Sequence, residues 1–252
     1  MTTGMTPAWS SVASGLCWVM ALVLSTSAAF ANPFVELETR YGIPIHQNYR
    51  LADHVHSSWL QAPISAEAKQ IDARLIPQMR VVLDRFLNRY PRDVLKRNLS
   101  GIYVAKTLTF YGKRYAGTNS RRQIFVSNDD YPTGYVLEIL HAEFSSILMR
   151  NHSFPKSDWR AVNAADFRYS EAAVAALDDS DPYARDDELL RAGFLTRYGQ
   201  STIENDFNQY AVWLFTKPDE LERLASLHPR VQAKRAKALA FYRSIDPTID
   251  LK

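Results

Sequence analysis

The clearest hydrophobic period in the chain runs from Tyr135 to Arg150. Wound at about 100° per residue, Val136, Ile139, Leu140, Phe144, Ile147 and Leu148 fall on one broad apolar face, the pattern of an amphipathic helix. Glu143 lies within that face. A carboxylate turned toward a core must be paired, protonated or bound, because burying it charged and alone costs several kcal/mol. The expectation is a largely buried Glu143 with a polar or cationic partner. His141, two residues away, points to the far side of the same helix.

Upstream, Ile43-Pro-Ile-His46 predicts a short first strand, its proline favouring a sheet edge. His54 and His56 stand on alternate residues, a spacing that can hold a metal from a strand and more often belongs to a surface loop. Ser65 reads as the N-cap of a helix with Glu67 in its first turn. Ile71, Leu75, Val82, Phe86 and Leu87 carry that helix toward Tyr90-Pro91, with a kink expected at Pro77. Ile102 to Phe110 and Gln123 to Val126 are rich in β-branched and aromatic residues and predict two paired strands, with Gly112 and Gly117 in the loop between them.

Downstream, the acids from Asp178 to Glu188 lack the spacing of a calcium loop and read as a solvated connection. Glu188 to Arg197 predicts a helix ending at Tyr198-Gly199. Ser201-Thr-Ile-Glu204 has the form of a capping box, and Ile203, Phe207, Tyr210, Ala211, Leu214 and Phe215 make the buried stripe of the helix it opens. Glu204 is placed to return to the Ser201 amide, and Asp206, at the stripe's edge, to satisfy a neighbouring helix. A helix from Pro218, a break at His228-Pro229 and a basic helix from Arg230 to Tyr242 complete the chain; Arg230, Lys234, Arg235 and Lys237 read as its solvated face.

Composition changes the picture at the N-terminus. Residues 1–31 contain no Lys, Arg, Asp or Glu, and the apolar run from Gly15 to Leu24 is followed by Ala29-Phe-Ala31. This predicts a secretory signal peptide cleaved before Asn32, with 32–252 as a single periplasmic or secreted domain and no membrane span left after cleavage. Cleavage removes Cys17, the single cysteine, and with it thiol catalysis, disulfides and cysteine metal sites. A formal net charge of +3 is too small to imply nucleic acid as a partner.

Glu143 also sits where the His-Glu-x-x-His helix of zinc peptidases carries its general base, with Ala142 and Ser146 at the two histidine positions. With Tyr41-Gly-Ile-Pro-Ile, Arg89-Tyr-Pro-Arg, the strand pair, Leu140-His-Ala-Glu-Phe-Ser-Ser-Ile-Leu and Glu204-Asn-Asp-Phe-Asn-Gln-Tyr-Ala, the chain resembles the zincin, or gluzincin-like, zinc metallopeptidases of bacteria. The resemblance implies an α+β zincin-like fold: a small sheet packed on an active-site helix, with a mainly helical C-terminal half. It implies Glu143 as the catalytic residue, a zinc ion as cofactor, and a peptide or protein as substrate or ligand. The candidates left for the metal are His141 and one of Glu204 or Asp206. With Ala142 and Ser146 in place of imidazoles, the expectation is weak or lost zinc binding and hydrolysis. The alternative function is a non-catalytic periplasmic binding or accessory protein that uses the same groove.

Overall fold

The computed structural model describes residues 1, 32–171, 181 and 183–251. The expected signal peptide and part of the acidic passage at 178–188 lie outside the described residues. One compact unit runs from Asn32 to Lys252.

Its sheet is built on β3 (Gly101–Phe110), which pairs in parallel with β1 (Ile45–His46) and β6 (Gln123–Ser127) and antiparallel with β2 (Glu67–Gln70) and β4 (Lys113–Tyr115). Strand β5 (Gly117–Ser120) pairs antiparallel with β6 and ends the order β1-β3-β6-β5. Both faces of the sheet are covered, which is why β3 opens as an apolar run from Ile102 to Ala105 rather than as an alternation. Ile102, Val104, Ile124 and Val126 face the larger core, while Tyr103, Ala105 and Phe125 face a smaller one. The β2–β3 register shifts between Lys69 and Gln70, whose partners are Thr107 and Ala105. That irregularity passes over Lys106, so the phase changes, and Leu108 and Phe110 join the smaller core.

Among the described residues the helices are α1 (Val35–Tyr41), α2 (Ser57–Leu60), α3 (Ile76–Leu87), α4 (Arg92–Asn98), α5 (Thr133–Asn151), α6 (Lys156–Arg160), α7 (Asp187–Ala192), α8 (Ile203–Thr216), α9 (Pro218–Leu227) and α10 (Pro229–Ile245). The architecture is α+β. Helix α5 packs against β5 and β6 on one side and against α3 and α8 on others. Among the described residues no helix is long and apolar enough to cross a membrane.

Three local expectations are corrected. The helix expected from Ser65 is strand β2: Ser65 has φ 47°, the Tyr111 amide bonds the Ile64 carbonyl, and Ala66 and Ala68 alternate with exposed Glu67 and Lys69. Two residues apart on an extended strand, Ala66 and Ala68 share the face that meets the smaller core. Pro77 then opens α3 instead of kinking it, because its missing amide falls in the first turn. The glycine-containing loop is two strands, β4 and β5.

Candidate functional site

A cleft of about 800 Å³ lies between β5, α5 and α8 and is lined also by Tyr183, Thr196 and Tyr198. The helix period explains how α5 serves both core and cleft. Val136, Leu140, Phe144, Ile147 and Leu148 are buried in the larger core, while Tyr135, Glu138, Ile139, Ala142, Glu143 and Ser146 recur at three- and four-residue steps along the cleft. Helix α8 contributes Glu204, Asn205, Asn208, Gln209, Val212 and Trp213. Strand β5 comes close because it carries a glycine: a Cβ at Gly117 would stand 2.4 Å from Ile139 Cγ2.

Glu143 is part-buried at the floor. Asn119 Nδ2 of β5 donates to its Oε2 at 2.5 Å. Arg150 donates to the Oδ1 of the same Asn119 and, at 3.4 Å, to Glu204 Oε1. One amide therefore ties the helix carboxyl to an ion pair on the rim. Burial pushes the Glu143 carboxyl up to about 7; the Asn119 hydrogen bond pulls it down, Glu204 adds repulsion and Arg150 attraction. The other cleft carboxylates have cations: Lys217 with Glu138 and Arg185 with Glu220, each at 2.8 Å, and Arg150 with Glu204.

Beside Glu143, Asn208 Nδ2 donates to Ser146 Oγ at 2.8 Å and joins α5 to α8. Asn208 is 8% exposed, and its Oδ1 meets no donor. The Thr196 hydroxyl, 6% exposed, also lines the cleft without a partner. Tyrosines line the same space: Tyr131 and Tyr135 have ring centroids 5.4 Å apart, and Tyr183 and Tyr198 6.0 Å apart.

The structure does not bring the sequence-derived metal candidates together. His141 is 1% exposed and lies behind α5, stacked on Phe215 at 4.4 Å with its Nδ1 2.9 Å from the Tyr90 hydroxyl. Burial and the charges of Arg89 and Arg85 hold its imidazole well below the usual histidine range, so it is neutral there. Asp206 is also in the interior. Its Oδ2 accepts from Trp159 Nε1 at 2.8 Å, Tyr169 Oη at 2.6 Å and Lys234 Nζ at 2.7 Å. Glu204 alone of the three lines the cleft, and its partner is Arg150 rather than the Ser201 amide; Thr202 caps α8 instead. His54 bonds Tyr103 Oη through Nδ1, and His56 caps α2.

A zinc ion does not fit these side chains. Glu143 has as neighbours the methyl group of Ala142, a Ser146 hydroxyl already accepting an amide hydrogen, and the Asn208 amide. Among the described residues no group of three or more His, Cys, Asp or Glu could hold a metal ion. Asn119 and Asn208 escaped the sequence reading because amides carry no motif. Asn208 had one available signal, its place one turn beyond Glu204 on the same helix.

No family model matches the chain, and no curated protein matches it. Among solved structures the chain is similar to a protein from Bacteroides caccae described as a "putative zinc-binding metallo-peptidase". The likeness covers 87% of this chain and 85% of that one, with a TM-score of 0.57 and 16% sequence identity. At that identity the likeness is one of fold, and it places this α+β chain beside that protein in architecture.

Proposed function

We propose that this chain is an exported zincin-like protein whose groove binds a peptide or protein segment, with metal-dependent peptide hydrolysis weak or lost. The observation that carries the reading is the Ser146–Asn208 hydrogen bond beside Glu143, which closes α5 onto α8 with neutral side chains at the floor of the cleft. Glu143 keeps the position of a general base, but its surroundings supply no imidazole. Strand β5 ends the sheet order, so one row of its backbone amides and carbonyls is open to an extended partner, the mode of β-strand addition. The bacterial zincin-like fold supports a peptide as that partner. The uncharged N-terminal segment with its Ala29-Phe-Ala31 end supports export with cleavage before Asn32.

Metal analysis of the protein purified without added metal, together with a peptide-hydrolysis assay, tests this. Substoichiometric zinc and no hydrolysis that Glu143→Gln abolishes are the expected results. One zinc per chain with hydrolysis lost in Glu143→Gln defeats the proposal. Intact-mass measurement of the exported chain tests the other half: a mature protein that retains Cys17 removes the case for cleavage.

A further inference from the structure

Hydrogen-bonding capacity at the floor of the cleft is unevenly used. Each of its two amides spends a hydrogen on a neighbour: Asn119 donates to Glu143 and Asn208 to Ser146. Two acceptors there are left short of donors. Asn208 Oδ1 is buried without a donor. Glu143, unlike Glu138, Glu204 and Glu220, meets a neutral amide where the others meet a lysine or arginine. The Ser146–Asn208 bond and the single helical turn between Glu143 and Ser146 bring these acceptors to one place.

A group that completes this floor must donate and need not accept. A hydroxyl or an amide brings one or two donors but no charge to answer the Glu143 carboxylate. A primary ammonium brings three N–H donors and no acceptor, and its compact charge answers a carboxylate. Tyr135 and Tyr198 add aromatic rings to the same lining, an environment that favours a cation.

We infer that the floor of the groove is an ammonium-binding subsite, which takes the α-amine or a lysine side chain of a peptide between the Glu143 carboxylate and Asn208 Oδ1. The inference rests on the peptide-groove reading and adds the chemistry that the ligand must present.

Calorimetry with the purified protein tests it, using tetra-alanine amide, its N-acetylated form, and an N-acetylated form with lysine at the second position. Tetra-alanine amide or the lysine peptide should bind at least about tenfold more tightly than N-acetyl tetra-alanine amide, as a charge-assisted contact gives. The two amine-bearing peptides separate the terminal source from the side-chain source. Glu143→Gln should lose the preference while still unfolding cooperatively, and Asn208→Asp, which adds a charge, should strengthen it. Equal binding of acetylated and free peptides, or a preference unchanged in Glu143→Gln, overturns the inference and leaves the groove reading standing. Absence of binding by all three peptides overturns both. Calcium chloride serves as the probe for a metal: if calcium binds and is not displaced by the amine peptides, the floor is a cation site of another kind and the inference falls.

Discussion

Two carboxylates on adjoining helices have opposite surroundings. Asp206 on α8 is 1% exposed and gives one oxygen to three donors, among them the fully buried Lys234. Glu143 on α5 has one amide donor and faces an open cleft. Burial drives both carboxyls upward, but at Asp206 the opposing pull of Lys234 is adjacent, and Lys234 is itself pushed down by burial and held up by Asp206. The difference separates a polar group that completes the interior from one kept available. Asp206 spends one oxygen on these donors and keeps the other, which has no partner, sealed in the interior, whereas Glu143 lines the cleft with a single neutral partner.

The largest test breaks the interior pair. Lys234→Met leaves Asp206 uncompensated and should cost about 3–5 kcal/mol of stability in urea unfolding, with part recovered when Asp206→Asn is added. A loss under about 1 kcal/mol would show that the pair carries little of the fold, and the contrast with Glu143 would fail.

The second test sharpens the other side by pH. The folded value for Glu143 is about 7 against 4.5 for the free group, so the folded state holds the proton more tightly between those values. The associated stability is fully present below about 4.5 and is lost as pH rises through about 7, by up to ~3 kcal/mol at 1.36 kcal/mol per unit. Burial sets this window first, modified by Asn119 on β5, Glu204 on α8 and Arg150 on α5, while Tyr135 and Tyr198 face the same carboxyl and are raised by it. Glu143→Gln should match the wild type near pH 4.5 and exceed it in stability at pH 8. His141, held neutral, contributes in the opposite direction: its share is present above the ordinary histidine value and is lost as pH falls below it. The readout is therefore the difference between variant and wild type. A constant difference across pH would place the Glu143 carboxyl in water.

The smallest effect is at the rim. Arg150 and Glu204 are each 41% exposed, so Arg150→Ala should change stability by less than about 1 kcal/mol. It should still raise the Glu143 titration followed by carboxyl NMR, because Arg150 lowers it now, and Glu204→Gln should move it the other way. Shifts of the same sign would remove Glu143 from this network.

The sequence carried the helices better than the sheet. The stripe from Ile203 to Phe215 and the break at His228-Pro229 both stand in the structure, since periodicity and proline act locally. Strands β2, β4 and β5 depend on pairing with distant segments, and their short polar stretches have no periodicity to announce them. Lys234 was assigned to a solvated face by the charges around it, yet it lies fully buried in step with Val231, Ala238, Phe241 and Tyr242. The spacing held that information; a lysine's ordinary preference for water outweighed it. At the cleft, the phase of α5 was readable, but the apolar face assigned to it was too narrow. The helix buries His141, Ser145 and Met149 as well, turns Glu143 toward the cleft, and sets Ile139 at the border of cleft and core.

Gly117 has a further consequence. With no side chain between strand and helix, the backbone of β5 rests against Ile139, and a Cβ there would also stand 3.4 Å from Glu143 Cγ. The gauge of the groove is thus set by a missing methyl group. A single-carbon insertion at that point would act as a shim, lifting the strand from the helix and stretching the Asn119–Glu143 link, while leaving every residue of the floor unchanged in identity.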